Sequence, residues 1–219
     1  MIENSKSERP KSSSYLLSLI KEKDDFPGIS IEDIKALPDT NLLWETICEC
    51  LKSKERIDNI WGLYYLESLI HRDLSRTAKN IFLSSFKYFI NNQDFSVFSN
   101  TVTLAYLTRD LIPNYKNEMF KILNSEDHLR VSESLLYATS FIDVSDVPLL
   151  LKFKEDKNYS ETNMSGPLCF DVRNQANIAA REILKINHKP FKKLYENVDG
   201  FSVWFYDWSP VIKRLNRWW

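Results

Sequence analysis

The side chains able to do chemistry in this chain are three cysteines, three histidines and a scatter of carboxylates. Cys48 and Cys50 flank a single Glu. On a helix of 3.6 residues per turn, that spacing turns the two thiols about 160–200° apart, so they do not chelate one metal. His71, His128 and His188 stand far apart, and none has a second His or Cys three or four positions on. A Cys–His nucleophile pair forms only in three dimensions, and nothing in the sequence singles one out. There is no G-x-S-x-G, no H-E-x-x-H and no phosphate-binding loop. Glu45 and Glu49 share one helix face at i, i+4, the pattern of a solvated surface. Asp110, Asp127 and Asp171 fall at expected helix ends, where capping accounts for them. The expectation is a non-enzyme with no catalytic residue, no metal site and no cofactor.

Composition narrows the remaining classes. The chain has 219 residues, 43% of them hydrophobic, enough for a sizeable core without staples. Gly28, Gly62, Gly166 and Gly200 are its only glycines. So few argue against Gly-punctuated hairpins, phosphate loops and dinucleotide folds. A net charge of −1 gives no overall electrostatic case for nucleic acid or an anionic membrane. The odd cysteine count without framework spacing fits reduced thiols in a cytoplasmic protein. No apolar run is long enough to span a bilayer, and Tyr15 to Ile20 is too short for a signal-peptide core. Residues 1–13 are polar and Ser/Lys-rich, a disordered tail by composition.

The elements that must position any site are helical. Apolar residues recur at three- and four-residue spacing almost throughout. Ser30 caps a short helix that ends at Pro38. "NLLWETICECLK", "RIDNIWGLYYLESLI", "SRTAKNIFLSSFKYFINN" and "DFSVFSNTVTLAYLTRDL" follow as helices, the last despite its β-branched residues. "NYKNEMFKILNSED", "HLRVSESLLYATSFI" and "DVPLLLKFKED" continue the series. Asp171 to Ile186, "KPFKKLYENV" and "SPVIKRLNRWW" complete it. In register, the longer helices Ile57–Ile70, Phe95–Leu111, Leu129–Ile142 and Val172–Ile186 recur at roughly 35 to 42 residues, the range of helical-hairpin repeats.

"FDVRNQANIAAREILKI" carries a resemblance through Asp171, Val172, Arg173, Ala176, Ala179, Ala180, Ile183 and Leu184. It resembles the first helix of a HEAT-type repeat, with an Asp before Val-Arg and small or aliphatic positions after it. "EDHLRVSESLLYATSFI" is a fainter copy through Asp127, Leu129, Arg130, Leu136, Ala138 and Phe141. The resemblance covers residues 55–186 and implies an all-α fold: a short right-handed superhelical array of antiparallel helix pairs, a HEAT-like α-solenoid. It places one repeat domain over residues 14–219. Because such arrays serve unrelated roles, it implies little about activity.

Two segments depart from the repeat. The loop at about 156–170 is polar and turn-rich, and from Asp143 to Asp171 the chain holds six acidic and three basic residues. The segment at about 200–219 carries Trp204, Trp208, Trp218 and Trp219, and from Lys185 onward seven Lys/Arg oppose three Asp/Glu. It reads as a hydrophobic cap, with Trp204 and Trp208 as its buried half. The partner-binding candidates are Asp143, Asp146, Glu155, Asp156, Tyr159, Glu161, Trp218 and Trp219, acidic and aromatic side chains suited to a protein partner. By analogy with bacterial immunity proteins, the expected partner is a cognate toxin, such as a nuclease with a basic cleft. A scaffold or adaptor in a larger assembly is the alternative. A HEAT-type DNA glycosylase is disfavoured, because the basic surplus is confined to the C-terminal portion.

Overall fold

The structure, a computed structural model, describes residues 41–70, 75–159 and 168–217. The chain divides into two compact units, Met1–Leu111 and Ile112–Trp219. The described residues of both are predominantly helical, and none of the described helices is long and apolar enough to cross a membrane. The expected Ser30 cap, the N-terminal tail, His71, Glu161, Trp218 and Trp219 lie outside the described residues.

The first unit holds α1 (Asn41–Lys52), α2 (Arg56–Ile70), α3 (Ser75–Ile90) and α4 (Phe95–Leu107). All four lie where the apolar stripes put them. α2 packs against the other three. Its sequence is apolar nearly all round, the mark of a central helix, and Leu63, Tyr65, Leu66 and Leu69 are fully buried. Gly62 lets α1 come close: a Cβ there would stand 2.8 Å from a Leu51 methyl carbon. Asn59 answers the open carbonyls at the end of α1, donating from its amide to Cys50 O at 3.0 Å and Ser53 O at 3.1 Å. Asp94 caps α4 by accepting from Val97 N, which lets a run rich in Val and Thr hold a helix.

The second unit contains α5 (Tyr115–Leu123), α6 (His128–Leu135), α7 (Val147–Leu150) and α8 (Asp171–Ile183). Strands β1 (Lys193–Val198) and β2 (Phe201–Tyr206) follow, then α9 (Ser209–Leu215). Asp127 caps α6 through Arg130 N, as its position predicts. Lys152 crosses to the far end of α5 and donates to Leu123 O at 2.8 Å. α8 is the centre of this unit and packs against α6, α7, β2 and α9.

Several expectations need correction. "HLRVSESLLYATSFI" is not one helix: α6 ends at Leu135, and a 3-10 turn, Ala138–Ser140, follows. "DVPLLLKFKED" is a single α turn that tightens into a 3-10 helix, Leu151–Glu155. "KPFKKLYENV" is not helical. It supplies β1, so the chain is mostly helical with a two-stranded antiparallel sheet rather than all-α. The scarcity of glycine did not prevent a hairpin. Asp199 and Gly200 both take positive φ, 53° and 87°, and close a two-residue turn whose twist matches the strands.

Candidate interaction surface

The hairpin is built onto α8 by a buried polar seam. Arg173, Asn174, Asn177 and Arg181 are all at most 6% exposed, unusual for such residues on one helix. Each has a task at the hairpin. Asn174 Oδ1 accepts from Tyr206 N at 2.8 Å, and Asn177 Nδ2 donates to Asp207 O at 3.3 Å. Arg181 Nη2 donates to the carbonyls of Lys189 and Pro190 and so fixes the arm that leads into β1. Its guanidinium also lies over the Phe191 ring, 3.9 Å from the centroid. Arg173 stacks on Phe205 at 3.4 Å and faces Glu196 Oε2 at 3.5 Å. Burial pulls Arg173 down from the ordinary guanidinium value, and the nearby Glu155, Glu196 and Asp156 charges hold it up. Glu196 also pairs with Lys157 at 2.5 Å, and these two cations keep its carboxyl below the usual range.

The strand register then sorts the side chains. Lys193 opposes Tyr206, Tyr195 opposes Trp204 and Asn197 opposes Ser202, while Leu194, Glu196 and Val198 oppose Phe205, Val203 and Phe201. Opposed residues share a face and successive ones alternate. Within the second set Val203 is fully buried and Phe205 lies beside Phe170 and Arg173, while Phe201 at the turn end is exposed. The first set faces away from α8. Along it runs an aromatic row: Phe191 to Tyr206 at 4.8 Å between centroids, then Tyr206 to Trp204 at 5.1 Å. Lys193 Nζ lies 4.1 Å above the Trp204 ring. Tyr195, opposite Trp204, is 63% exposed. The result is an amphipathic aromatic platform with a cation on it, held from beneath by two buried arginines. The chemistry of such a surface is suited to stacking and apolar contact.

The residues expected from sequence fall in two places within this unit. Asp143 and Asp146 come together on Lys116, at 2.7 and 2.6 Å, and form a capping box at the start of a 3-10 turn, Val144–Asp146. Hydrogen bonds from Lys116 hold Asp146 below the usual carboxylate range. Glu155 lies beside Lys154 at 3.2 Å. Asp156 accepts from Asn158 N at 3.0 Å and turns the chain there. Glu155, Asp156 and Tyr159 flank Lys157, which reaches the hairpin through Glu196. Trp208 is buried, as the cap reading expects, whereas Trp204 is only partly so and belongs to the platform.

Phe191, Lys193, Tyr195 and Tyr206 were not among the residues singled out by sequence. Asp-Gly between "KLYENV" and "FSVWFY" is the signal that locates them, since both flanks can be read with a period of two.

Elsewhere, α1, the turn after it and α3 line a cavity of about 500 Å³, with Cys48, Leu51, Lys52, Ile81 and Tyr88 on its wall. All three cysteines are free thiols. Burial and the Asp171 carboxylate, which accepts the thiol hydrogen at 3.1 Å, push Cys169 up to about 12. Among the described residues no group of three or more His, Cys, Asp or Glu converges as a metal site. Comparison of the chain with protein-family models, with curated proteins and with solved structures finds no match in any of the three.

Proposed function

We propose that the chain is a non-catalytic protein-binding module and that the outward face of the β1–β2 hairpin is its contact surface. One observation carries the reading: the row Phe191–Tyr206–Trp204 ends at the exposed Tyr195, with Lys193 set on Trp204. Aromatic side chains of this kind supply large, rigid contact area at small entropic cost, and Tyr and Trp dominate binding hot spots. The buried seam beneath favours the same reading. Arg173 and Arg181 spend costly burial on fixing a surface hairpin, which prepares it in its binding shape.

In the finer form of this reading, the helix pairs are successive HEAT-like units. The partner is then a toxin whose activity is blocked in the cytoplasm of a bacterial host. Glu155 and Asp156, next in sequence to the Lys157 that contacts the hairpin, extend the surface with acidic groups that steer association.

The test is capture from host cells with the wild-type chain and with Tyr195→Ala, a substitution at an exposed position that leaves the core intact. Wild type is expected to retain one stoichiometric protein whose activity falls on binding, and Tyr195→Ala to retain it about tenfold less well. Equal retention by the variant would overturn the assignment of the surface. Co-purification of nucleic acid that is released steeply by salt would overturn the assignment of the partner.

A further inference from the structure

The two edges of the hairpin differ. β2 is covered on its outer side: Trp204 N donates to Leu168 O at 2.9 Å, Phe170 N donates to Trp204 O at 3.1 Å, and Asn174 takes the Tyr206 amide. Opposed residues in an antiparallel pair alternate between bonding each other and turning their backbone groups outward. Since Trp204 and Tyr206 bond away from β1, their opposites Tyr195 and Lys193 turn their own N–H and C=O away from β2. The same alternation sends the backbone groups of Asn197 outward. Among the described residues, no backbone hydrogen bond reaches this outer side of β1. Three residues in a row of alternation thus present an unpaired strand edge, the feature proteins ordinarily cover or blunt.

The chemistry along the edge is mainly basic: Asp207 faces Lys192 and Asp199 stands at the turn, but cations outnumber them. His188, Lys189, Lys192 and Lys193 are all exposed along the arm and the first turn of β1. The one carboxylate within β1, Glu196, is already engaged by Lys157 and Arg173. Tyr195 and the platform flank the same edge on one face.

We infer that the outer edge of β1 takes up an extended acidic segment of the partner as a third strand. This rests on the proposed function and names how the partner is held. Backbone groups of Lys193, Tyr195 and Asn197 bond the added strand, the lysines meet its carboxylates, and alternate side chains of that strand lie on Tyr195.

The probe is a labelled peptide of alternating Glu and Val, alongside a copy N-methylated at alternate residues and a Lys–Val copy. The acidic peptide is expected to bind the full chain. The N-methylated and basic copies are expected to bind about tenfold or more weakly. Amide exchange at Lys193, Tyr195 and Asn197 is expected to slow about tenfold on binding, with the other amides of the hairpin unchanged. Tyr195→Pro removes an outward N–H and no bond within the hairpin, so it is expected to weaken peptide binding while the fold is kept. Equal binding of the N-methylated copy, or no change in exchange at those three amides, would overturn the inference whatever the variant does. If Tyr195→Ala loses the cellular partner but the amides stay unprotected, the platform reading stands and the strand reading falls. Protected amides with undiminished capture by Tyr195→Ala give the reverse.

Discussion

The side-chain oxygen of Asn174 accepts the backbone N–H of Tyr206 at 2.8 Å, so the first turn of α8 serves as the missing neighbour of β2. Asn174 is 4% exposed. Asn174→Ala takes the acceptor from the part-buried Tyr206 amide, which costs about 1 kcal/mol. Urea unfolding should show an earlier midpoint with an unchanged slope. A midpoint equal to wild type would mean that the amide has found another acceptor.

Arg181 holds two carbonyls and one ring at once. A lysine offers a single point charge and no planar face, so Arg181→Lys is not conservative here. It should cost about 2 kcal/mol. The loss should be concentrated in the arm, with amide exchange over residues 187–191 rising more than exchange in α6. Uniform acceleration would instead mark Arg181 as a general core residue.

Cys169 should behave as an inert thiol. Its pKa is pushed up to about 12, first by burial and then by Asp171, so little thiolate exists near neutrality. Alkylation by iodoacetamide at pH 8 should run at least about a hundredfold slower than for free cysteine. The sign of the linked stability follows. The unfolded thiol ionises near 9.0 and the folded one later, so stability falls as pH rises through that interval. Rapid alkylation of the native protein at this residue would show the thiol to be more open than its surroundings here allow.

Lys116 couples the protein to acid. Hydrogen bonding to Lys116 lowers Asp146, and hydrogen bonds to Asp143 and Asp146 raise Lys116. The carboxylate part of this stabilisation is fully present above its unfolded value, 3.8, and is lost as pH falls through the lower folded value. The ammonium part is present below its unfolded value, 10.5, and is lost as pH rises through the higher folded value. Because the Lys116 side chain is 43% exposed, Lys116→Ala should cost only about 0.5 kcal/mol at neutral pH. Thermal melts should bring variant and wild type together once Asp146 is protonated, and should separate them less in high salt.

How far the sequence could be read depended on where each signal resides. The helices of the first unit were legible because residues such as Leu43, Ile47 and Leu51 repeat at the helical period within one segment. In α2, however, the expected face of Ile57, Ile60, Trp61 and Tyr64 is only half-buried, and Leu63, Tyr65 and Leu66 take the core. Asp127 was legible as a cap for the same local reason. β1 was not. Phe191, Leu194 and Val198 sit three and four apart after a proline, which imitates a helix start. The strand is decided by the Asp199–Gly200 turn and by α8 beneath it, and neither belongs to the segment. Asp143 and Asp146 were read as residues for contacting a partner, and Lys116, which both of them hold, lies 27 and 30 residues earlier, beyond any local pattern. Arg173 entered the reading only through the repeat resemblance, and Arg181 was not singled out. Their burial depends on rings from Phe205 and Phe191, which only the folded hairpin delivers.

Because β2 is stitched to residues 168–177 and the arm before β1 is clamped by Arg181, each half of the hairpin has its own anchor. Once the hairpin has formed, continuity of the chain at Asp199–Gly200 is therefore not what holds it on α8. A peptide bond cut there would leave the two fragments locked together. A foreign sequence spliced between those two residues would be carried at the tip of the hairpin without disturbing what lies beneath. The turn is thus the natural port for a fluorophore or an epitope, beside the surface proposed to bind and outside its bonds.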